Sequence, residues 1–302
     1  MKILITGGSG LIGRAFIERF NGYQFTALTR SASKARQRLP DSVQLIESLD
    51  CLDALDEFDA VINLAGEPII DKRWSRKQKE IISQSRWKIT KQLVDLFSRS
   101  ELPPKVFLSG SAIGAYGNSA DELVDESYQI TGNDFSSSLC RRWEEIAIQA
   151  APFTRVVFLR TGIVLARQEG ALSKMLLPFK CGLGGRVGSG EQFMSWIHVE
   201  DHISAIDSLL ANERFSGPVN LVAPDAVSNR DFTQELAQSL NRPAFLPLPE
   251  KVLQLLLGES SCLLLEGQRV IPQKLLSDGF RFSFPTLKSA LSDLLGKNEE
   301  SK

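Results

Sequence analysis

The stretch Lys2-Ile3-Leu4-Ile5-Thr6-Gly7-Gly8-Ser9-Gly10-Leu11-Ile12-Gly13 decides the reading of the fold. Its first half is an unbroken aliphatic run, which suits a strand buried on both faces of a parallel sheet. Its second half turns the chain into a helix expected over 11–20. Glycines allow that tight turn and let backbone N–H groups approach a pyrophosphate at the positive end of the helix. The strand before it and the helix after it are what make a glycine pattern specific. A purely structural turn is the alternative reading.

Working outward, further strands are expected at 24–29, 43–46, 60–64, 105–109 and 155–159. Helices are expected at 76–98 and 137–149. Strand–helix alternation of this kind predicts an α/β protein, a Rossmann-like doubly wound parallel sheet. After Leu159 the pattern loosens. Gly182-Leu183-Gly184-Gly185-Arg186-Val187-Gly188-Ser189-Gly190 reads as a loop. Prolines at 243, 247, 249, 272 and 285 punctuate a region with short amphipathic helices at 251–257 and 286–295. The division expected is a nucleotide-binding domain over 1–225, with 166–196 contributing to the substrate side, and a smaller C-terminal substrate lobe over 226–302. The charged tail 297–302 is expected to fray.

Composition excludes several classes. With 43% hydrophobic and 24% charged residues among 302, the chain is of ordinary globular make-up. Its 35 basic residues nearly balance 36 acidic ones, so bulk charge draws it to neither nucleic acid nor anionic membrane. No run approaches the roughly 18 apolar residues of a membrane span, and the first residues carry no secretory pattern. Four cysteines lie far apart and only two histidines are present, which argues against a thiolate–imidazole metal site. The expectation is a reduced, cytoplasmic, metal-free protein.

The end of the second strand selects the dinucleotide. An acid about 20 residues past the glycine motif would hold a ribose 2′-hydroxyl. Residues 19–40 contain no Asp or Glu; Leu28-Thr29-Arg30-Ser31 ends the strand on arginine, and Lys34, Arg36 and Arg38 follow. A guanidinium takes a 2′-phosphate in a bidentate, charge-assisted contact. The reading is NADP(H), set against a merely solvated basic helix start.

Gly7–Gly13, Asn63-Leu64-Ala65-Gly66, Ser109-Gly110-Ser111 and Tyr116-Gly117 recur in this order in extended short-chain dehydrogenases/reductases. Leu64-Ala65-Gly66-Glu67-Pro68-Ile69, the run from Gly182 to Met194-Ser195-Trp196-Ile197-His198, and Leu263-Leu264-Leu265-Glu266-Gly267-Gln268-Arg269-Val270 narrow the match. The whole chain to about residue 295 resembles an atypical "epimerase family protein" branch, NAD(P)-dependent epimerase/dehydratase-like, with a small C-terminal domain of unknown function. The resemblance implies cofactor contacts from Gly7, Gly8, Ser9, Gly10, Leu11, Ile12 and Gly13, from Arg30, from Ala65, Gly66 and Glu67, and from Ser109 and Thr161.

The chain departs from that family at its chemistry. Orthodox members carry Tyr-x-x-x-Lys with a glutamate four residues on. Glu144 takes the glutamate's place, which puts Cys140 where lysine belongs and Ser136 where tyrosine belongs. Serine and cysteine cannot do that acid–base work at neutral pH, and losing a positioned acid–base group costs roughly 10²–10⁴ in rate. Members that bind nucleotide sugars have asparagine at the position of Ile163 and Arg-Asp at Met194-Ser195. Both groups face the nucleotide diphosphate, so a nucleotide-sugar substrate is not expected; Arg186 could restore some charge.

Replacement catalytic candidates are Ser111, in the place of the family's catalytic serine or threonine, and Tyr116, just beyond the fifth strand; wall packing is the other reading of Tyr116. Glu67 is a carboxylate candidate, or a ribose ligand. Asp201 is expected to N-cap a helix over 203–211, and His198 to make a structural hydrogen bond. Cys140 is expected to be buried and inert. The acidic run Asp121, Glu122, Asp125, Glu126 and the basic stretch around Arg86 read as solvated faces, with Arg86 alternatively reaching a phosphate. The expected function is an NADP-dependent oxidoreductase or epimerase acting on a small hydroxyl or carbonyl compound. A non-catalytic NADP(H)-binding sensor is the alternative. Expected partners are a small-molecule substrate and, as an open option, a second copy in a homodimer.

Overall fold

The computed structural model describes residues 1–130 and 132–296. The expected tail over 297–302 lies outside the described residues.

Seven strands form one parallel sheet: β1 (Lys2–Thr6), β2 (Gln24–Leu28), β3 (Gln44–Ile46), β4 (Ala60–Asn63), β5 (Val106–Ala112), β6 (Arg155–Thr161) and β7 (Gly217–Leu221). Their spatial order is β7-β6-β5-β4-β1-β2-β3, so the chain reverses direction across the sheet between β1 and β4. This is the doubly wound Rossmann-like arrangement, whose ligand crevice opens at that reversal beyond the carboxyl ends of the strands.

Period-2 alternation assigns the faces. Ile3 and Ile5 point into a core with Phe16 and Ile17 of α1 (Leu11–Arg19) and with Ile203 and Ile206 of α4 (Val199–Ala211). Leu4 points the other way, into a core with Leu93 and Phe97 of α2 (Arg76–Arg99) and Ile146 of α3 (Phe135–Ala147). Ser75 caps α2 by accepting from the Gln78 amide at 3.1 Å, and Asp134 caps α3 by accepting from the Ser136 and Ser137 amides. Both are the short polar residues that satisfy orphan N–H groups.

Strand β7 escaped the reading of the sequence. It opens on Gly217-Pro218 and carries Asn220, so no apolar run marks it. It lies at the edge of the sheet, where proline is tolerated.

The C-terminal region shares a core with an earlier segment. Leu165, Leu172, Leu176, Met194 and Trp196 pack with Phe232, Leu236, Leu287, Ala290 and Leu291. Residues 227–228 also pair with 193–194. The glycine-rich stretch 182–190 runs as a loop and touches the C-terminal region where Leu248 N donates to Arg186 O at 2.8 Å.

One expectation is corrected here. Helix α4 starts at Val199, and its N-cap is His198, whose Nδ1 accepts from the Glu200 amide at 3.1 Å. Asp201 sits instead in the first turn, almost wholly buried, and its carboxylate accepts from the Ser283 amide at 2.8 Å and the Phe284 amide at 2.9 Å. It anchors the distant 280–284 segment, whose Phe280 and Phe282 lie against the main core. Removing that carboxylate strands two backbone donors, each costing about 1–3 kcal/mol. Asp201→Ala should therefore lower unfolding free energy by about 2–4 kcal/mol, read as a lower urea midpoint with unchanged slope. An unchanged midpoint would refute the anchor.

Candidate functional site

At the crevice, backbone meets backbone. Gly7 has φ +71°, and a Cβ there would lie 2.7 Å from the Leu64 carbonyl carbon. A Cβ on Gly13 would lie 2.5 Å from Gly7 O. These two positions exclude side chains. Gly10 N-caps α1 without a side-chain bond, and the first turn carries no acid. Its first amides are therefore left for an anion.

Beneath the turn, β1 and β4 are locked at their carboxyl ends. The Thr6 hydroxyl donates to Asn63 Oδ1 at 2.6 Å and accepts from the Ala65 amide at 3.1 Å. Asn63 Nδ2 and Trp143 Nε1 both donate to Thr90 Oγ1 at 2.8 Å. The chain leaving β4 through Ala65 and Gly66 is thereby fixed to α2 and α3.

At the end of β2, Arg30 is exposed and makes no hydrogen bond or ion pair among the described residues. Two of its basic neighbours are engaged. Arg36 donates to Pro40 O and Val43 O, and Arg38 pairs with Glu169. Among the described residues, the one carboxylate bonded to this turn is Glu47, which accepts from the Ala32 amide at 2.6 Å.

Glu67 lies mostly covered and pairs with Lys72 at 3.2 Å. Beside it the reading of Arg86 as a solvated face fails. Its guanidinium packs where a Gly66 Cβ would lie, 2.8 Å from Cζ, and stands 5.4 Å from the Trp143 ring centroid. It donates to Glu67 O and Ile82 O at 3.0 Å. Burial holds it below its ordinary pKa, opposed by the nearby Cys140 and Glu67. Arg86 is the residue that sequence reasoning undervalued. Periodicity placed it on a basic helix, and only the tertiary fold turns that face inward.

Ser111 and Tyr116 are brought to the same wall, each with an internal partner. Ser111 Oγ donates to Glu144 Oε1 at 2.6 Å, and Arg160 clasps the same carboxylate through Nε at 2.9 Å and Nη2 at 2.8 Å. Arg160 Cζ lies 4.7 Å from the Tyr116 ring centroid, and the phenol donates to Asn220 Oδ1 at 2.7 Å. Burial raises the Tyr116 pKa, although Arg160 opposes it. The acidic run also divides: Glu126 is buried and accepts from the Asn220 amide at 3.0 Å, and burial raises its pKa. Asp125 stays outside, bonded to Ser127.

In the motif positions, Ser136 Oγ is buried without a partner among the described residues, as is Ser109 Oγ on β5. Thr161 Oγ1 lies 3.0 Å from His202 Nε2, and burial pushes His202 down to about 3, so the ring is neutral. His198 is buried against Phe284, which lowers its pKa. Arg186 is exposed, its stem against Gly190.

With this geometry in place, the family description "NAD dependent epimerase/dehydratase family" matches residues 3–221. The chain belongs to that family. A second description, a domain of unknown function (DUF1731), matches 248–294. Among the epimerase-family relatives, the human epimerase family protein SDR39U1 is 37% identical over 301 residues, covering 98% of this chain and 100% of that one. A chloroplastic SDR39U1 homologue of Arabidopsis thaliana is 37% identical over 303 residues, covering 98% and 87%. A crystal structure of the human protein (isoform 2) with NADPH superimposes with TM-score 0.90 at 35% identity, covering 98% and 99%. The fold and branch expected from the motifs are thereby established for this family member. No helix among the described residues is long and apolar enough to cross a membrane.

The cysteines give a direct check on the wall. Cys140 is buried, and burial followed by the Glu144 charge pushes its thiol up to about 12. Cys51 and Cys181 are exposed. At pH 8 an alkylating reagent should label those two promptly and Cys140 roughly a thousandfold more slowly, because only thiolate reacts. Labelling of Cys140 should become fast once denaturant unfolds the chain. Prompt labelling in the native protein would contradict the packing described.

Proposed function

We propose that this epimerase-family protein binds NADP(H) across the β1–α1 turn. Gly7, Gly8, Ser9, Gly10, Leu11, Ile12 and Gly13 would offer backbone amides to the pyrophosphate, Arg30 would take the 2′-phosphate, and Ala65, Gly66, Glu67, Ser109 and Thr161 would line the rest. Arg86 joins that set, since its guanidinium packs against Gly66 and its NH2 has no partner among the described residues. The observation that carries the proposal is the pairing of a backbone cradle that no Cβ can enter with an unpaired guanidinium at the end of β2. The human relative crystallised with NADPH agrees with it.

The bound nicotinamide would supply or accept hydride; this chain would orient the reactants and handle the proton. The substrate proposed is a small hydroxyl or carbonyl compound and the compartment the cytoplasm. Ser111 lies at the carboxyl end of β5 and Tyr116 just beyond it. To reach a substrate oxygen each must exchange an internal hydrogen bond, worth about 0.5–1.5 kcal/mol net, for one to substrate. A second reading, an NADP(H)-dependent sensor without turnover, is favoured by one observation: both hydroxyls are already engaged, with Glu144 and Asn220.

NADPH should raise the melting temperature well above the shift given by NADH at equal concentration. Ligand at 100 times its Kd adds about 2.7 kcal/mol to apparent stability. Arg30→Ala should narrow the difference between the cofactors, and equal shifts in the unaltered protein would sink the assignment. Turnover separates the two readings. NADPH oxidation with a panel of aldehydes, ketones and sugars is expected from an enzyme. Tyr116→Phe should then slow it by about 10²–10⁴ with cofactor affinity kept, if the phenol handles the proton. A silent panel beside tight NADPH binding supports the sensor.

A further inference from the structure

The site proposed above needs a substrate side, and residues 262–270 cover part of it. Cys262 and Leu263 pack with Trp74, Ile82, Phe135 and Leu139, spanning from the C-terminal region to α2 and α3. Beyond them the backbone is seated directly on the positions where the family resemblance puts contacts to a nucleotide diphosphate. Ser195 is buried, and its hydroxyl donates to Gln268 O at 2.7 Å and accepts from the Val270 amide at 2.9 Å. Gly267 lies so close to the preceding strand that a Cβ would stand 2.3 Å from Phe193 O. Met194 is turned into the C-terminal core, where its sulfur accepts from Asn229 Nδ2 at 3.4 Å. Ile163 is tied to the same layer through its amide, which donates to Ser195 O at 2.9 Å.

We propose that the backbone of residues 266–270 fills the diphosphate position beside Met194 and Ser195, so that the cleft takes a compact hydroxyl or carbonyl compound with no nucleotide handle. The inference rests on the cleft assignment made above. Its physical basis is charge as well as space. A diphosphate buried there would meet a committed hydroxyl and main-chain carbonyls, and unpaired buried charge is costly. The cations of this region stay on the rim: Arg269 is exposed over the Phe193 ring at 5.2 Å, and Arg186 is exposed in the glycine-rich loop.

Amide hydrogen exchange on the full chain, with and without NADPH, tests this together with thermal shifts. The Val270 amide should exchange slowly, and Ser195→Ala should speed it by about fivefold to tenfold, the loss expected for one hydrogen bond. Gly267→Ala should speed exchange across 266–270 while leaving the NADPH thermal shift within about twofold in affinity. With NADPH saturating, UDP-glucose and UDP-glucuronic acid at millimolar concentration should change neither the melting temperature nor exchange in 266–270. A melting shift from either sugar nucleotide, or faster exchange of 266–270 in its presence, would overturn the proposal, as would rapid Val270 exchange in the unaltered protein. Failure of NADPH to bind would sink the cofactor assignment alone, since the Val270 measurement needs no cofactor.

Discussion

The buried ion pair between Glu144 and Arg160 is the interaction on which the rest of this site depends. It joins α3 to β6 through two nitrogen–oxygen contacts, both partners being nearly inaccessible. Burial alone would lower the arginine's pKa; the carboxylate and the neighbouring phenol outweigh it and raise it. A pair withdrawn from water in this way returns its desolvation cost only when its remaining hydrogen-bonding capacity is satisfied. Here the Ser111 hydroxyl takes up capacity on the carboxylate, and the Tyr116 ring covers the guanidinium face. The serine that would face substrate is thus oriented by the same charge that secures the wall behind it.

That pair reaches further than one wall. From Arg160 the contacts run through Tyr116 to Asn220 on β7, whose side chain donates to Ile271 O at 3.0 Å and whose amide donates to Glu126. Glu126 also accepts from the Lys274 amide at 3.3 Å. The C-terminal region is therefore bonded to the carboxyl ends of β5 and β6 by a continuous polar chain, with a core on each side. Such networks are stabilising only when every member is satisfied. The bonds of Tyr116 and Asn220 are part of that satisfaction, so the phenol serves architecture here.

The fold was legible because it rests on local requirements. Gly7 and Gly13 exist for backbone reasons, and the aliphatic alternation of β1 sorts its side chains between two cores without help from distant residues. What stayed hidden depended on partners far along the chain. Asp201 carries the marks of a cap, a short carboxylate at a helix start, yet its donors come from residues 283 and 284. Arg86 sits in a stretch whose charges are mostly basic, and only the approach of Gly66 and Trp143 draws it inward. Edge strand β7 begins with two residues that ordinarily end strands. The positions of Ser136 and Cys140 were readable from spacing alone, but their surroundings were not.

Those surroundings bear on how a family site persists after its motif is gone. A lysine at 140 would bring a cation to the middle of α3; the chain has a neutral thiol there, held protonated by burial. The guanidinium of Arg86, from the neighbouring helix, lies close enough to that thiol for its charge to oppose the shift. Positive charge at this wall therefore stands on another helix, fixed by backbone carbonyls at Glu67 and Ile82. A fixed cation with a normal role in binding needs no proton-transfer partner, whereas the lysine of the orthodox motif acts by lowering a phenol's pKa. A cation without a phenol separates the two tasks that the motif combines. The cofactor binding proposed above does not depend on the missing phenol.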